Sequence, residues 1–381
     1  MRIAIVTETF VPATDGICTR LANFVVQLKE IGHEVIVISP DLGISDYKGV
    51  PVYGLETVTF PLYGSRPWGL PSRKVKSIFK KFKPDVVHAV NPISLASSAV
   101  HYANKLNIPL ITSYHTHLPN YLDHYNMSLF KPVLWDYIRF WHTKSDVNIT
   151  VSQSLMDELN DEMIPTHGVL PRGIDIEGRH PEYFDQELYN ELTVNNPNNK
   201  LLVYVGRLAP EKDIDHLRAI FDERDDLCLA IVGDGPDRER LEEVFAGTKT
   251  HFLGFKHGED LSKAFATGDA FVFPSTSETF GLVISEAMAS GIPVIAAESE
   301  PTVEQITDKE TGLIYESGNT ESLMKAINSV DNPLLMQKLS LKGRSEALKY
   351  TWDNATLELL DFYSQTIEAH QYKYDGIRKQ A

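Results

Sequence analysis

Short apolar runs alternate with amphipathic stretches through the first half of the chain. Arg2–Thr7 has the pattern of a strand, and Thr19–Ile31 places four apolar residues on one face of a helix, namely Leu21, Phe24, Val25 and Leu28. Gly32 is expected to end that helix, and Glu34–Ser39 repeats the strand pattern, so the chain opens with a β-α-β unit. Further strands are predicted at Val86–Val90, Leu110–Tyr114 and Val147–Val151. Several of these runs are apolar throughout, which is typical of parallel strands buried on both faces.

A second series of strands and helices follows a polar, turn-rich stretch at Glu182–Lys200. Its predicted strands are Leu201–Gly206, Cys228–Gly233, His251–Leu253, Ala270–Pro274 and Pro293–Ala297. We therefore predict an α/β fold with two doubly wound, Rossmann-like parallel-sheet domains that face each other across a cleft. Ligands of such sheets bind beyond the carboxyl ends of the strands, so the cleft is the expected site.

The expected domain boundaries follow from these patterns. Residues 1–175 are predicted to form the N-terminal domain, 176–200 a linker, 201–350 the C-terminal domain and 351–381 a C-terminal helical segment. A helix at about Asn354–Ala369 carries apolar Leu357, Leu360 and Phe362 with Tyr363. We expect this helix to pack on a domain, with the N-terminal domain as the candidate.

Composition and charge narrow the class of protein. A chain of 381 residues with 43% hydrophobic residues suggests two globular domains. The two cysteines, Cys18 and Cys228, match no metal-ligand spacing. The sequence has neither a signal-peptide pattern nor a run of about 18 apolar residues that could span a membrane. We therefore expect a cytoplasmic protein. The formal net charge of −16 disfavours general nucleic-acid binding, because phosphate contacts need concentrated Lys and Arg.

The segment from Phe273 to Val294 is the most informative part of the chain. A predicted strand ends at Pro274, and a helix is predicted to start near Gly281. The backbone N–H groups of Phe280, Gly281 and Leu282 would then lie at a helix N-terminus, which favours phosphate. Glu278 and Glu286 lie on either side of that position and can accept hydrogen bonds from sugar hydroxyls. The structural alternative is an acidic helix cap and a solvated helix carboxylate.

Two glutamates separated by seven residues, with these flanks, resemble the signature of the retaining GT-B glycosyltransferases. That large family is typified by phosphatidylinositol mannosyltransferases and sucrose synthases. The resemblance covers about residues 1–365. It implies that Glu278 contacts hydroxyls of the donor sugar and that Glu286 contacts the ribose of the nucleotide. It also implies a donor-binding role for the backbone at Phe280, Gly281 and Leu282.

A second motif, Val205-Gly206-Arg207-Leu208-Ala209-Pro210-Glu211-Lys212, follows the first strand of the second domain. Arg207 and Lys212 lie five residues apart in a strand-to-helix loop, where both cations can converge on a pyrophosphate. The alternative is that both are surface cations. The resemblance implies that they stabilise the leaving diphosphate, and we expect both side chains to be exposed. The family usually has Gly after the Lys, whereas this chain has Asp213.

Two weaker patterns lie nearby. Asp213-Ile214-Asp215 is formally a D-x-D metal motif, but Asp at a helix start is a good N-cap, so we interpret the pair as structural and expect no metal. Gly233-Asp234-Gly235-Pro236 is half of a glycine-rich phosphate loop. The resemblance makes Gly206, Gly233 and Gly235 part of the wall of the donor site.

The first domain contributes candidates at the ends of its predicted strands. Thr14-Asp15-Gly16-Ile17 follows the first strand, and the family usually has two glycines here, facing the donor phosphates and the acceptor. This chain retains Gly16, whereas Asp15 is either an acceptor ligand or a turn residue.

A histidine-containing motif, Ser113-Tyr114-His115-Thr116-His117, ends another predicted strand. Such a His is often structural. The resemblance implies that His115 contacts the 6-position of the donor sugar and supports an oxocarbenium-like transition state. The run from His117 through Tyr121 is similar to that of sulfolipid and related glycolipid synthases, and both residues are acceptor candidates. Arg172, in a loop that matches the family at the domain junction, is a further acceptor candidate.

The resemblance implies a hexosyltransferase that uses a UDP- or GDP-sugar, retains the anomeric configuration and needs no metal or other cofactor. The resemblance implies front-face attack; the alternative, double displacement, needs a carboxylate beneath the anomeric carbon that the sequence does not locate. The acceptor is either a membrane lipid such as diacylglycerol or a soluble small molecule or saccharide. A non-catalytic sugar-nucleotide-binding protein is a third hypothesis, and a phosphorylase would require a Schiff-base lysine motif that we do not find.

A basic segment at residues 66–83 favours the lipid acceptor. Ser72–Lys83 is predicted to be an amphipathic helix with Val75, Ile78, Phe79 and Phe82 at helical spacing, and no acidic residue occurs between Thr57 and Pro84. A basic amphipathic helix can lie on an anionic membrane, which would be the inner face of the membrane for a cytoplasmic protein. The alternative is that the apolar residues face the domain core.

Overall fold

The computed structural model describes residues 1–13, 15–59, 67–116, 119, 127–278 and 280–380, with the backbone alone at 59 and 374–380. The chain divides into two compact units. The first consists of Met1–Gly173 with Trp352–Ala381, and the second of Ile174–Thr351.

The first unit is built on an eight-stranded sheet with the order β10-β9-β8-β7-β1-β2-β4-β3. Its strands are parallel except for the pair β3 and β4. They are β1 (Arg2–Thr7), β2 (Glu34–Pro40), β3 (Asp46–Tyr47), β4 (Val50–Leu55), β7 (Val86–Val90), β8 (Leu110–Tyr114), β9 (Val147–Thr150) and β10 (Gly168–Val169). A separate antiparallel pair is formed by β5 (Thr57–Thr59) and β6 (Pro67–Gly69).

Helices cover both faces of this sheet because the central strands direct apolar residues to both faces. In β1, Ile3 and Ile5 belong to one core cluster and Ala4 and Val6 to another. The described helices before the unit boundary are α1 (Gly16–Glu30), α2 (Lys74–Phe82), α3 (Leu95–Leu106), α4 (Lys131–His142) and α5 (Gln153–Asp161). The first cluster packs against α1, and the second packs against α2 and α3.

The second unit has a six-stranded, all-parallel sheet with the order β13-β12-β11-β14-β15-β16. Its strands are β11 (Lys200–Val205), β12 (Leu227–Val232), β13 (Thr250–Gly254), β14 (Ala270–Phe273), β15 (Val294–Ala297) and β16 (Leu313–Tyr315). Its described helices are α6 (Gln186–Leu192), α7 (Ile220–Glu223), α8 (Arg238–Val244), α9 (Gly258–Ala266), α10 (Leu282–Ala289), α11 (Glu300–Val303), α12 (Thr320–Ile327) and α13 (Pro333–Ala347). The predicted α/β class with two parallel sheets is confirmed.

Residues 176–200, interpreted above as a linker, belong to the second unit. They contain α6, whose Leu192 is buried in the core of that unit. Asn199 is also buried, and its side-chain amide donates to the backbone oxygen of Thr193 (2.9 Å). The polar turns of this stretch therefore connect packed elements.

The C-terminal helix α14 (Trp352–Gln380) belongs to the first unit. Its buried face contains Trp352, Leu359 and Tyr363, which join the cluster that packs against α1. Leu357, predicted above as one of its packing residues, is 60% exposed because it lies on the opposite face. Gly173 explains part of this docking, since a Cβ atom there would lie 2.1 Å from the Trp352 ring.

The membrane-helix prediction for residues 66–83 is corrected by the structure. Helix α2 is present, but Val75 and Phe79 are 0% and 1% exposed, and Ile78 and Phe82 pack against the same core cluster. Its apolar face therefore cannot lie in a bilayer, whereas Lys80 and Lys81 are exposed. Within the described part of the chain, every helix is too short or too polar to cross a membrane.

Candidate active site

The loop after β14 carries the two glutamates of the signature. Helix α10 begins at Leu282, and Gly281 precedes it as its N-cap in the left-handed conformation (φ 74°), which favours glycine. The first N–H groups of a helix have no intrahelical acceptor, and the helix dipole adds positive potential there. The structure thus places Phe280, Gly281 and Leu282 at a helix start that can bind an anion.

Lys212 and Glu278 form an ion pair with 2.5 Å between Nζ and Oε1. Lys212 lies on a 3-10 turn (Pro210–Lys212) after β11, and Glu278 lies in the loop after β14, which neighbours β11 in the sheet. The side chains are only 11% and 22% exposed, so the expectation of an exposed Lys212 is wrong. The pair brings a candidate phosphate-binding cation and a candidate sugar-binding carboxylate into direct contact.

Arg207 has a different environment from Lys212. Its guanidinium group pairs with the carboxylate of Glu211, and its side chain is 51% exposed. Ser277 Oγ donates to the backbone oxygen of Glu211 (2.5 Å), which ties this turn to the loop that carries Glu278. Arg207 is therefore an accessible cation on a turn that is held against the signature loop.

Glu286 lies on α10 and is held by Arg179, a residue that the sequence analysis did not identify. Arg179 Nη2 donates to Glu286 Oε1 (3.0 Å), and the Arg179 guanidinium group stacks on the Phe265 ring at 5.1 Å from its centroid. The Arg179 side chain is 10% exposed, whereas that of Glu286 is 26% exposed. Arg179 thus orients the carboxylate through one oxygen. Nothing in the local pattern around residue 179 indicates this, because the contact joins positions 107 residues apart.

Gln305 is a second residue that the sequence analysis missed. Its side-chain amide donates to the backbone oxygen of Phe280 and to that of Pro301 (3.1 Å), and Ser285 Oγ donates to its Oε1 (2.6 Å). Gln305 therefore holds the carbonyl side of the turn before α10. We infer that it fixes the direction of the N–H groups at the start of this helix.

Three glycines of the second unit permit close packing of two backbone loops. A Cβ atom on Gly233 would lie 1.9 Å from the Gly206 oxygen, and one on Gly235 would lie 2.1 Å from the Leu208 oxygen. Leu208 N–H donates to the Asp234 oxygen across the same contact (3.0 Å). Gly233 and Gly235 thus allow the loop with Arg207 to pack against its neighbour, and Gly206 supplies the backbone oxygen that Gly233 approaches, which is a packing reason for the glycine-rich pattern.

The formal metal motif has a different geometry from that predicted. Asp213 occupies the N-cap position of a 3-10 helix (Ile214–Ala219), as predicted, but it has φ 51° and its side chain makes no capping hydrogen bond to that helix. Asp215 accepts from Arg240 Nη1 (2.8 Å). Asp213 and Asp215 line a cavity of about 360 Å³ with His216, Pro274, Ser317 and Gly318. The described residues include no group of three or more His, Cys, Asp or Glu side chains placed to hold a metal ion.

His115 follows β8 in the first unit and is 5% exposed. Its backbone N–H donates to Asn91 Oδ1 (2.7 Å), and its Nε2 lies 2.8 Å from Ser113 Oγ. Burial, together with the nearby Arg20, lowers the pKa of His115 well below its ordinary value. The imidazole is therefore neutral at physiological pH.

Asp15 is the N-cap of α1. Its Oδ1 accepts from the Cys18 N–H (2.9 Å), and its Oδ2 accepts from Thr9 Oγ1 (2.9 Å). The geometry thus favours the turn interpretation over the acceptor-ligand interpretation. Gly16 is the first residue of α1, and a Cβ atom there would meet nothing within 4 Å, which leaves room for a ligand at this helix start.

A cavity of about 230 Å³ lies at the carboxyl end of the first sheet. Among the described residues that line it, Glu8 is the one acidic residue, and its carboxylate accepts from the backbone N–H groups of Ile93, Ser94, Leu95 and Ala96. The other lining residues are Thr9, Pro12, Ala13, Pro40, Leu42 and Pro67. The cavity is therefore mainly apolar, and the sequence analysis did not identify Glu8.

Arg172 is the remaining acceptor candidate among the described residues. Arg172 is 7% exposed and lies in the first unit, after β10. His117 and Tyr121 lie outside the described residues.

Two family descriptions match the chain. "Glycosyltransferase Family 4" matches residues 14–177, and "Glycosyl transferases group 1" matches residues 185–345. Together they span most of both units.

Curated relatives match over nearly the whole chain. A sulfoquinovosyl transferase of Arabidopsis thaliana is 33% identical over 90% of this chain and 69% of its own length. A GDP-mannose-dependent alpha-mannosyltransferase of Mycolicibacterium smegmatis is 32% identical over 96% of this chain and 98% of its own. An alpha-monoglucosyldiacylglycerol synthase of Streptococcus pneumoniae is 28% identical over 83% and 75%.

Solved structures show the same fold. Sucrose-phosphate synthase from Thermosynechococcus elongatus superposes with a TM-score of 0.78 at 21% identity, covering 97% of this chain and 99% of that one. The Anabaena HepE protein, solved with UDP-glucose, has a TM-score of 0.76 at 20% identity, covering 96% and 99%. The two family matches and the relatives above 30% identity indicate the same family, and the solved structures have the fold of this chain. The chain belongs to glycosyltransferase family 4, a retaining, nucleotide-sugar-dependent family of glycosyl transferases group 1.

Proposed function

We propose that this protein transfers a hexose from a UDP- or GDP-sugar to a membrane lipid such as diacylglycerol. The main support for binding of a nucleotide-sugar donor is the Lys212–Glu278 ion pair beside the start of α10. A cation, a carboxylate and a helix N-terminus meet there, and these groups match a diphosphate joined to a hydroxyl-rich sugar.

The residues have separate roles in this proposal. Lys212, Arg207 and the N–H groups at Gly281 stabilise the negative charge that develops on the β-phosphate. Glu278 accepts hydrogen bonds from the sugar hydroxyls while it fixes Lys212. Glu286, oriented by Arg179, accepts from the ribose. His115 donates to the sugar near its 6-position and supports the oxocarbenium-like transition state.

The reaction is a front-face displacement. The bond from the anomeric carbon to the β-phosphate oxygen breaks as the acceptor oxygen bonds to the same face of the sugar. The acceptor proton passes to the departing phosphate oxygen, so the nucleoside diphosphate is its own base.

No metal is assigned to this reaction, because Lys212 and Arg207 can supply the charge. We expect initial rates in excess EDTA to equal those in untreated enzyme, within about twofold, since a side-chain cation acts without a metal in electrostatic stabilisation. Steady-state turnover with and without EDTA checks this. Loss of activity that returns with Mg²⁺ or Mn²⁺ would contradict this expectation and make Asp213 and Asp215 candidate metal ligands again.

The lipid acceptor is supported by the cavity at Glu8 and by the relatives. The described lining of this cavity is mainly apolar, which suits the glyceride part of a lipid next to its hydroxyl group. The matched relatives include a diacylglycerol glycoside synthase and a sulfoquinovosyl transferase. An apolar wall with one carboxylate discriminates against a free, highly hydroxylated sugar.

The membrane contact that we propose is an apolar helix surface formed by Leu129, Phe130, Val133 and Phe140. These side chains are 88%, 54%, 66% and 53% exposed. They lie on or just before α4, at spacings that place them on neighbouring positions of one helix face. Tyr137 of α4 donates to the Ile93 oxygen, just after β7, so the surface lies beside the carboxyl end of the sheet.

Charge indicates an anionic membrane as the partner of this surface. Lys144 Nζ lies 3.2 Å from the centroid of the Phe140 ring. Helices α2 and α4 lie on the same face of the sheet, because Trp141 of α4 packs against the core cluster that contains the buried residues of α2. Helix α2 carries the exposed Lys80 and Lys81. Apolar side chains flanked by lysines suit the interface of an anionic bilayer.

Co-sedimentation with anionic vesicles tests this contact. The parent protein is expected to bind, and to bind less as salt rises, because lysine attraction is screened. A Leu129→Glu, Val133→Glu variant is expected to bind at least about tenfold more weakly, since two large apolar side chains lose their burial. A Lys76, Lys80 and Lys81→Glu variant is also expected to bind less.

Leu334→Glu is the matched control, because Leu334 is 79% exposed in the second unit. It is expected to bind vesicles like the parent. No binding of the parent to anionic vesicles, even at low salt, would contradict the docking proposal. Glycosylation of a soluble sugar or small molecule in preference to diacylglycerol would contradict the lipid acceptor and favour the soluble alternative.

A further inference from the structure

A row of buried side chains joins the C-terminal helix to His115. Tyr363 Oη lies 3.0 Å from His88 Nδ1, and His88 Nε2 lies 2.8 Å from Ser113 Oγ. Ser113 Oγ in turn lies 2.8 Å from His115 Nε2. Tyr363, His88 and Ser113 are 0% exposed and His115 is 5% exposed, so water has little access to this row.

Three elements far apart in sequence build the row. Tyr363 lies on α14, His88 lies in the middle of β7, and Ser113 lies on β8, which pairs with β7. Tyr363 and His88 are 275 residues apart. Arg20 and His142 are the other titratable groups that act on His115. The position of His115 therefore depends on the docking of the C-terminal helix.

The number of protons in the row is fixed by burial. Burial lowers the pKa of His88 to about 3 and that of His115 well below its ordinary value, so each ring carries one N–H. Burial also raises the pKa of Tyr363 far above its ordinary value, so the phenol keeps its proton. Each of the three hydrogen bonds in the row (Tyr363–His88, His88–Ser113 and Ser113–His115) then contains one proton.

These protons can run in two directions along the row; a third arrangement, in which both imidazoles donate to Ser113 Oγ, leaves the Ser113 proton without an acceptor among the described residues and is therefore costly. If Tyr363 donates to His88 Nδ1, then His88 Nε2–H donates to Ser113, Ser113 donates to His115 Nε2, and His115 carries its proton on Nδ1. If the order is reversed, the Tyr363 proton has no acceptor among the described residues, and a buried unpaired hydroxyl is costly. The first direction is therefore favoured.

We propose that Tyr363, acting through His88 and Ser113, is a positioning residue that fixes His115 as the tautomer protonated on Nδ1, so that His115 meets the donor sugar as a hydrogen-bond donor. This inference rests on the proposed function, in which His115 contacts the sugar. It assigns the C-terminal helix a part in the reaction, although this helix begins 237 positions after His115 in the chain (352 − 115).

Nitrogen-15 NMR of histidine-labelled protein tests the tautomer directly. The full-length parent is expected to show His115 protonated on Nδ1 alone. Tyr363→Phe keeps the ring but removes the proton that sets the direction, so a second population protonated on Nε2 is expected. Thr366→Val is the matched control, because Thr366 is also buried on α14 and its hydroxyl donates within the helix to the Phe362 oxygen.

Kinetics with a nucleotide sugar test the consequence. Tyr363→Phe is expected to lower kcat by about three- to tenfold, with a donor KM within about twofold of the parent, because one neutral hydrogen bond to the transition state is weakened. Thr366→Val is expected to match the parent in both constants. A merely structural role for Tyr363 would instead lower the melting temperature and leave the kcat of the folded protein unchanged.

The outcomes separate this inference from the proposed function. A parent His115 protonated on Nε2, or a Tyr363→Phe protein with unchanged tautomer or unchanged kcat, overturns the positioning role alone. If His115→Ala retains the kcat of the parent, then the role of His115 in the proposed function fails, and the positioning role fails with it.

Discussion

Lys212→Ala is expected to lower kcat/KM by about 30- to 1,000-fold. The reason is that Lys212 is placed to stabilise charge on the leaving diphosphate, and loss of one such group costs about 2–4 kcal/mol at the transition state. The variant also leaves Glu278 without the cation that lies 2.5 Å from it. Initial rates with a nucleotide sugar measure the effect. Arg207→Ala is expected to act in the same direction but less strongly, because Arg207 is half exposed and screened by solvent.

Lys200→Ala is the control for removing one lysine charge from the same strand and loop region without touching the candidate site. Lys200 lies at the opposite end of β11, 3.7 Å from Asp269, and its loss is expected to leave turnover unchanged. Thermal unfolding must show that Lys212→Ala is folded at the assay temperature. A folded Lys212→Ala protein with activity within about twofold of the parent would remove Lys212 from the mechanism.

Glu286→Gln is expected to weaken binding of free UDP or GDP by about 10- to 150-fold. The change keeps the shape of the side chain but removes the charge, and hydrogen bonds to charged groups are worth about 1.5–3 kcal/mol. It also weakens the contact with Arg179 that orients the group. Glu278→Gln is expected to leave the Kd of free nucleotide within about twofold while it weakens binding of the nucleotide sugar.

Titration calorimetry with nucleotide and with nucleotide sugar distinguishes the two glutamates. Glu321→Gln serves as the control, because Glu321 is an exposed acidic residue in the first turn of α12 in the same unit. Equal affinity of the Glu286→Gln protein and the parent for nucleotide would disprove the ribose role.

The central strands were predictable because their burial is encoded locally. Arg2–Thr7, Val86–Val90 and Leu110–Tyr114 have the predicted bounds, since short, mainly apolar runs in an α/β chain form buried parallel strands. Short edge elements such as β3 and β16 were not predicted. These two strands have only two and three residues, which is too short to show a hydrophobic pattern.

The amphipathic pattern of α2 shows the limit of this reasoning. Val75 and Phe79 have the spacing of either a membrane helix or a core helix, and only tertiary packing decides between them. The exposed apolar surface lies on α4 instead. Its sequence is apolar on several faces, since Trp135 and Ile138 are buried while Val133 and Phe140 are exposed. Periodicity therefore could not identify its outer face.

Motif residues of the candidate site were accessible from the sequence, but their partners were not. Lys212 and Glu278 belong to patterns that can be recognised locally, whereas their ion pair joins positions 66 residues apart. Arg179, Gln305 and Tyr363 act through contacts with residues far away in the sequence and belong to no local motif. Such residues are defined by the topology of the sheet and the docking of helices, which a one-dimensional pattern does not specify.

The most direct test of the proposed function is turnover of a panel of UDP- and GDP-hexoses with diacylglycerol in anionic vesicles. Proton NMR determines the anomeric configuration of the product. We predict that at least one donor yields a glycosyl lipid with the anomeric configuration of that donor, and that Lys212→Ala abolishes most of this product. Tight binding of a nucleotide sugar without turnover on lipid or soluble acceptors, or a product of inverted configuration, would contradict the account.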